Sequence, residues 1–255
     1  MLNQLLQLLV TGFFYGTISA IFAMLISPLQ FLKIIRQQTG KKYTKIFYDT
    51  INRSGFFTFF RGAIPYATMN FFSSMAFGVS EYLSEYVIKV ALLPLVIAII
   101  VRATLGGFIE TMFSSYSELK EITKNKGSLI KTKPRLVTII IPILLRNIIF
   151  WYGSVISYEI SIKYDLGVML SVVIAFCLGV IFAICSIAFD VIATQNCGDI
   201  ENKGVIRRFK EILEGGNSSA IFAGTLMRII QIGIFTITTV LTMFLFDYIT
   251  PSSNL

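Results

Sequence analysis

Long uncharged stretches alternate with short basic ones along the whole chain. No charged side chain occurs from Met1 to Leu32, from Gly62 to Ser80, or from Gly167 to Phe189. Roughly 20 apolar residues in a helix suffice to cross a hydrocarbon core of ~30 Å. Apolar segments near residues 5–36, 62–88, 91–119, 136–162, 166–194 and 219–248 therefore predict six membrane-spanning helices. Gly, Ser and Thr recur inside them, as close helix packing in a bilayer favours. Two of the polar connections have their own helical period. In "YTKIFYDTINR", Tyr43, Ile46, Phe47 and Ile51 share a face, and in "GVIRRFKEILE", Val205, Phe209, Ile212 and Leu213 do the same. These patterns predict short helices lying in the membrane interface. The middle connection, "NKGSLIKTKPRL", leaves little room for such a helix, and Pro134 disfavours one further.

Composition agrees with the pattern. The chain is 55% hydrophobic and 14% charged, too few charges to cover a soluble protein of 255 residues. Its net charge of +8 is unevenly placed. Lys33, Arg36, Lys41, Lys42, Lys45, Arg53 and Arg61 fall between spans one and two. Lys120, Lys124, Lys126, Lys131, Lys133 and Arg135 fall between spans three and four, and Lys203, Arg207, Arg208 and Lys210 between five and six. The opposite connections hold only Lys89 and Lys163. By the positive-inside rule the basic loops face the cytoplasm-equivalent side, with both termini opposite. Topology and lipid headgroups account for this charge, and no nucleic-acid partner is expected. The first apolar run lacks the basic start and small-residue cleavage site of a signal peptide, so it reads as mature protein.

No histidine is present, which removes the commonest general base and metal ligand. Cys177, Cys185 and Cys197 form no CxxC pair and read as buried packing thiols. With no dinucleotide fingerprint, phosphate loop or nucleophile elbow, neither an enzyme nor a cofactor or metal site is expected.

The pattern of long helix, basic loop and long helix occurs three times. "SPLQFLK" (27–33) is similar to "IAFDVIA" (187–193), "FFRG" (59–62) to "IFAG" (221–224), and "SEYL" (80–83) to "YEIS" (158–161). These spacings fit a repeat of about 80 residues, taken once or twice. They divide the chain into units 1–90, 91–164 and 165–255, the second with a shortened loop. Three parallel units predict a bundle with pseudo-threefold symmetry about the membrane normal.

On these residues the chain resembles the mitochondrial carrier family, as a divergent, motif-degenerate member. That family's odd helices end in P-x-[DE]-x-x-[KR]-x-[KR]-x-Q. "PLQFLKIIRQ" (28–37) keeps Pro28, Lys33 and Gln37, with Gln30 for the acid and Ile35 for the second base. "GFFTFFRG" (55–62), which its glycines and Pro65 make a loop, matches the motif that follows the interfacial helix, from its glycine on. "RNIIFWYGSVISYE" (146–159) resembles the fourth helix, and "AFDVIATQNC" (188–197) the end of the fifth. The resemblance implies an all-α fold of six transmembrane helices in three repeats with short matrix-side interfacial helices. It also implies a multi-pass inner-membrane location, basic loops toward the matrix and both termini toward the intermembrane space.

The resemblance further implies a matrix-side gate of paired acids and bases, and here the ring looks damaged. Its remnants are Pro28, Gln30 and Lys33 in the first unit, Glu118 in the second and Asp190 in the third. Glu121 stands where the second unit's base belongs, and Ala193 where the third's belongs. At most one acid–base match between neighbouring units is expected, Glu118 or Asp190 with Lys33. Of the opposite gate, Glu81 and Glu159 remain without their bases. Substrate contacts in the family would fall at Thr68, at Arg146 and Asn147, and at Gln231 with Arg228 one turn away. An arginine inside a span is costly unless paired or facing water, and an arginine fork suits a carboxylate. Arg102 and Glu110 match no motif and would either pair with each other or contact another subunit. Phe60, Arg61, Gly62 and Gly224 would hold membrane lipid, cardiolipin in that family. Two functions follow. The damaged gates favour an accessory subunit of an inner-membrane, respiratory complex that transports little or nothing. The alternative is a carrier exchanging a small carboxylate or other anion by alternating access.

Overall fold

The computed structural model describes residues 2–92, 94–201, 203–214 and 218–249, with side chains for 10–76, 79–80, 82–84, 86–92, 94–201, 203–214 and 220–237. These residues are helices joined by turns, with no strand among them. The long helices are α1 (Leu2–Thr39), α3 (Ala63–Ala91), α4 (Leu95–Lys126), α5 (Ile140–Lys163), α6 (Val168–Asn196) and α8 (Thr225–Ile249). The short ones are α2 (Tyr43–Ser54) and α7 (Val205–Glu214). Five of the long helices are apolar enough to cross a membrane over the described residues: α1, α4, α5, α6 and α8. The remaining long helix, α3, has 29 residues, which is length enough.

Each long helix packs on the next in chain order, and α8 closes the circle against α1. The odd helices α1, α4 and α6 lean inward, with α1 touching both of the others. Small residues permit the closest approaches. A Cβ on Gly107 of α4 would stand 2.6 Å from the Ile148 backbone of α5, and one on Gly106 would strike the Trp151 ring. Pro28 lies within α1, removing one backbone donor at the level where the odd helices converge.

The basic connections differ as their sequences predict. The helix α2 turns its buried Ile46 onto Phe31 and Phe59, whereas α7 buries no residue. The middle connection has only two 3-10 turns, Gly127–Leu129 and Leu136–Thr138. Between them the chain forms a strap across the end of α6. The amides of Lys131 and Thr132 both donate to the Gly198 carbonyl, at 2.9 and 3.1 Å. Lys126 Nζ donates to the Thr194 and Cys197 carbonyls. Gly198 takes a φ of +72°, and a Cβ there would sit 2.7 Å from Ile130. Beside the strap, burial pushes Asp199 up, but the hydrogen bonds from Arg208 and the Ile200 amide outweigh it and hold its carboxyl below the usual range.

Two expectations need correcting. Cys177 and Cys185 are exposed on the outer face of α6, and only Cys197 is buried. Only every third or fourth position of a helix can face inward, so in one apolar throughout some residues face out, and apolar sequence alone does not tell core from lipid. Burial pushes the Cys197 thiol up, so it stays in its unreactive form. The stretch "GFFTFF" is also not a plain loop. Phe56–Phe60 forms a 3-10 helix that buries Phe59 while Phe56 and Phe57 stay exposed.

Candidate functional site

Where the odd helices converge, five charged side chains are buried together: Lys33 from α1, Glu118 and Glu121 from α4, Arg146 from α5 and Asp190 from α6. Lys33 Nζ meets Asp190 at 2.8 Å, joining α1 to α6. Gln30 Nε2 donates to Glu121 Oε2 at 3.2 Å, joining α1 to α4. The third side, α4 to α6, is closed by a residue from an even helix. Arg146 donates through both Nη1 and Nη2 to the two oxygens of Glu118, and through Nη1 to Asp190 at 2.9 Å. A forked guanidinium–carboxylate contact of this kind is among the stronger ion pairs proteins make.

Amides complete the ring. Gln37 donates to Asp190 at 3.2 Å and accepts from Thr194 at 2.8 Å. Asn125 donates to Glu121 at 2.9 Å, Gln231 of α8 to Gln30 at 2.9 Å, and Asn147 to Thr111 at 3.0 Å. Asn147 also accepts from Arg146, which fixes the plane of the guanidinium. Toward the basic-loop end an apolar layer seals the ring: Ile34, Leu119, Ile122, Ile139, Ile143, Ala193 and Cys197. Burial behind such a layer excludes water and strengthens every electrostatic contact above it.

Among the gate positions themselves one acid–base pair forms, and a cation from outside them adds two more contacts. Lys33 pairs with Asp190, one of its two expected partners, and Glu118 goes to Arg146 instead. Ala193 has indeed lost the base of the third unit, but Arg146 reaches in from α5 to the same carboxylate. Counting along the odd helices alone could not reveal this, because the replacement lies on another helix. Gln30 and Glu121 still meet, as an amide–carboxylate contact rather than an ion pair. Arg102 pairs with Glu159 at 2.5 Å, not with Glu110, so Glu159 has a base after all. Glu110 accepts from Trp151 Nε1 at 2.7 Å. The Glu81 side chain lies outside the described residues.

The substrate-contact residues do not form one open set. Arg146, Asn147 and Gln231 are buried within the ring. Thr68 donates to the Ile64 carbonyl of its own helix at 2.9 Å. Arg228 lies 5.6 Å from the centre of the Phe150 ring and forms no ion pair among the described residues. Sequence reasoning passed over Asn125, one turn beyond Glu121, whose helical spacing was the available signal.

The lipid-contact residues separate as well. Arg61 is exposed and borders an open cavity of about 580 Å³ with Thr123, Lys124, Gly127, Ile130 and Pro134. Phe60 is half-buried, and Gly62 packs on Asn125. Gly224, with a φ of +95°, packs on Lys33 and Gln37, and a Cβ there would meet Lys33 Cγ at 2.8 Å. Its lack of a side chain thus serves the ring directly.

The model of one protein family, described as mitochondrial carrier protein, matches residues 4–91, the whole of α1 to α3 save the first two residues. No curated protein matches the chain.

Proposed function

Taking as premise that this chain belongs to the mitochondrial carrier family through residues 4–91, we propose that it is a transport-competent inner-membrane carrier of a small anion, its matrix-side gate closed. The observation that supports this is the complete ring: α1–α6 through Lys33 and Asp190, α1–α4 through Gln30 and Glu121, α4–α6 through Arg146. A buried ion pair is a poor way to gain stability, since apolar residues of similar volume serve as well or better. Its use is in switching, where one set of contacts must release and re-form. The accessory-subunit reading rests on the broken gates, the shortened second unit and the unmatched Arg102 and Glu110. The ring contacts give Glu118 and Asp190 a cation and Glu121 two amide donors, and Arg102 pairs with Glu159, which weakens those grounds.

In this reading the fork of Arg146, the chemistry that suits a carboxylate, is held by Glu118 and Asp190 while the gate is shut. Arg228 is the second cation available to an anion, and Thr68, Asn147 and Gln231 are the remaining contacts. Both termini face the intermembrane space and the basic loops face the matrix. The cavity beside Arg61 and Lys124 takes the phosphates of cardiolipin.

The test is uptake by proteoliposomes preloaded with a panel of carboxylates and nucleotides. The expected result is saturable exchange of a small carboxylate, abolished in Arg146→Ala. No exchange of any anion, with the protein migrating on native gels only inside a larger complex, would restore the accessory-subunit reading.

A further inference from the structure

Ion pairs alone do not balance the charge of the ring. Lys33 and Arg146 are matched by Asp190 and Glu118. Glu121 is the third carboxylate, fully buried at 0% exposure, and touches no cation. Its oxygens accept only from amides, Gln30 Nε2 at 3.2 Å and Asn125 Nδ2 at 2.9 Å.

The groups around it come from every packed helix. Lys33 faces it from α1, Tyr66 from α3, Glu118 from its own helix and Asp190 from α6. From α5 comes Arg146, committed to Glu118 and Asp190, and from α8 comes Arg228, over the Phe150 ring. Further up α4, Glu110 is held by Trp151. With Arg228 and Glu110 included, four carboxylates still face three cations.

A second observation points the same way. Asn125 Oδ1 and Gln231 Oε1 are buried acceptors that receive no hydrogen bond, and both amides belong to the chain of contacts around Glu121. The shell has a carboxylate without a cation and amide oxygens without a donor. A buried carboxylate in that position neutralises by taking a proton. A protonated acid also becomes an O–H donor, the group this shell lacks.

We propose that Glu121 is a proton-binding site of the gate: a neutral acid while the ring is closed, which gives its proton to water when the ring opens. The step is one proton transfer from the Glu121 carboxyl to entering water, leaving a solvated carboxylate and a hydronium ion. Acid pH then favours the closed ring and alkaline pH its opening. The link to opening rests on the carrier reading above, but the presence of the proton does not.

The test is infrared spectroscopy of the full-length protein in lipid vesicles near neutral pH. The wild type should show a carbonyl stretch of a protonated carboxylic acid that is missing in Glu121→Gln. Asn125→Leu should move that band to higher frequency by removing a hydrogen bond donated to the carboxyl oxygen. Identical carbonyl regions in wild type and Glu121→Gln overturn the proposal. If Glu121→Gln fails to fold, a band unmoved by Asn125→Leu does so instead. Exchanging choline for sodium should leave the melting temperature unchanged. A sodium-dependent rise that is absent in Glu121→Gln would mean a metal cation in the proton's place and would equally overturn it. A band lost in Glu121→Gln, in a protein that takes up no anion, upholds the proton site and counts against the carrier reading alone.

Discussion

Replacing Arg146 by methionine takes the guanidinium away from two carboxylates while keeping much of the side-chain volume. Asp190 retains Lys33 at 2.8 Å and Gln37 at 3.2 Å, so the loss falls mainly on Glu118. Glu118 then lies buried with no partner cation, and removing one member of a buried pair costs about 3–5 kcal/mol. The remaining contacts of Asp190 argue for the low end, ~3 kcal/mol. For a chain of this size that lowers the melting temperature by roughly 6–12 °C. Removing both charges, as Arg146→Met with Glu118→Leu, should return stability to within about 1 kcal/mol of the wild type, because an apolar pair replaces the ion pair. The assay is thermal unfolding in mild detergent followed by tryptophan fluorescence. Trp151 is the single tryptophan and lies on the same helix as Arg146. A single variant as stable as the wild type, or a double variant no better than the single, would refute the ring as described.

Other perturbations read other contacts. Gly107→Ala forces a Cβ toward the Ile148 backbone and should cost about 1–3 kcal/mol in the same unfolding assay, with no loss expected if α4 and α5 were further apart. Gly198→Ala imposes a side chain at positive φ against Ile130, so the strap should loosen and trypsin should cut faster at Lys131. Unchanged cleavage would place the strap elsewhere. Arg61→Ala should reduce the cardiolipin retained through delipidation, measured by mass spectrometry of extracted lipid. The Asp199–Arg208 pair is pH-dependent. Because the folded carboxyl is held below its ordinary value of 3.8, its contribution is present above that pH and fades as pH falls below it. Asp199→Asn should flatten this acid limb in melts recorded between pH ~2 and ~6.

The long apolar helices and the two short amphipathic ones were legible in the chain because each is written in local pattern. Hydropathy fixes where a helix can cross a bilayer, and a period of 3.6 residues marked α2 and α7 before any fold was known. The shortness of the middle connection was equally plain, although not that it straps α6. Motif positions show what the gate has lost but not what stands in its place. Motif counting compares equivalent positions of the three repeats, so it registers Ala193 as a lost base and Glu121 as a reversed charge. Which side chain fills the space beside a carboxylate is set by the packing of all six helices. Packing brought Arg146 from α5 to Glu118, Gln30 to Glu121 and Arg102 to Glu159. The sequence by itself determined that this chain is a bundle of long apolar helices with polar residues inside them. Only the tertiary structure decided how those residues pair, because in a low dielectric a buried charge depends on whichever cation, amide or proton the fold brings within reach.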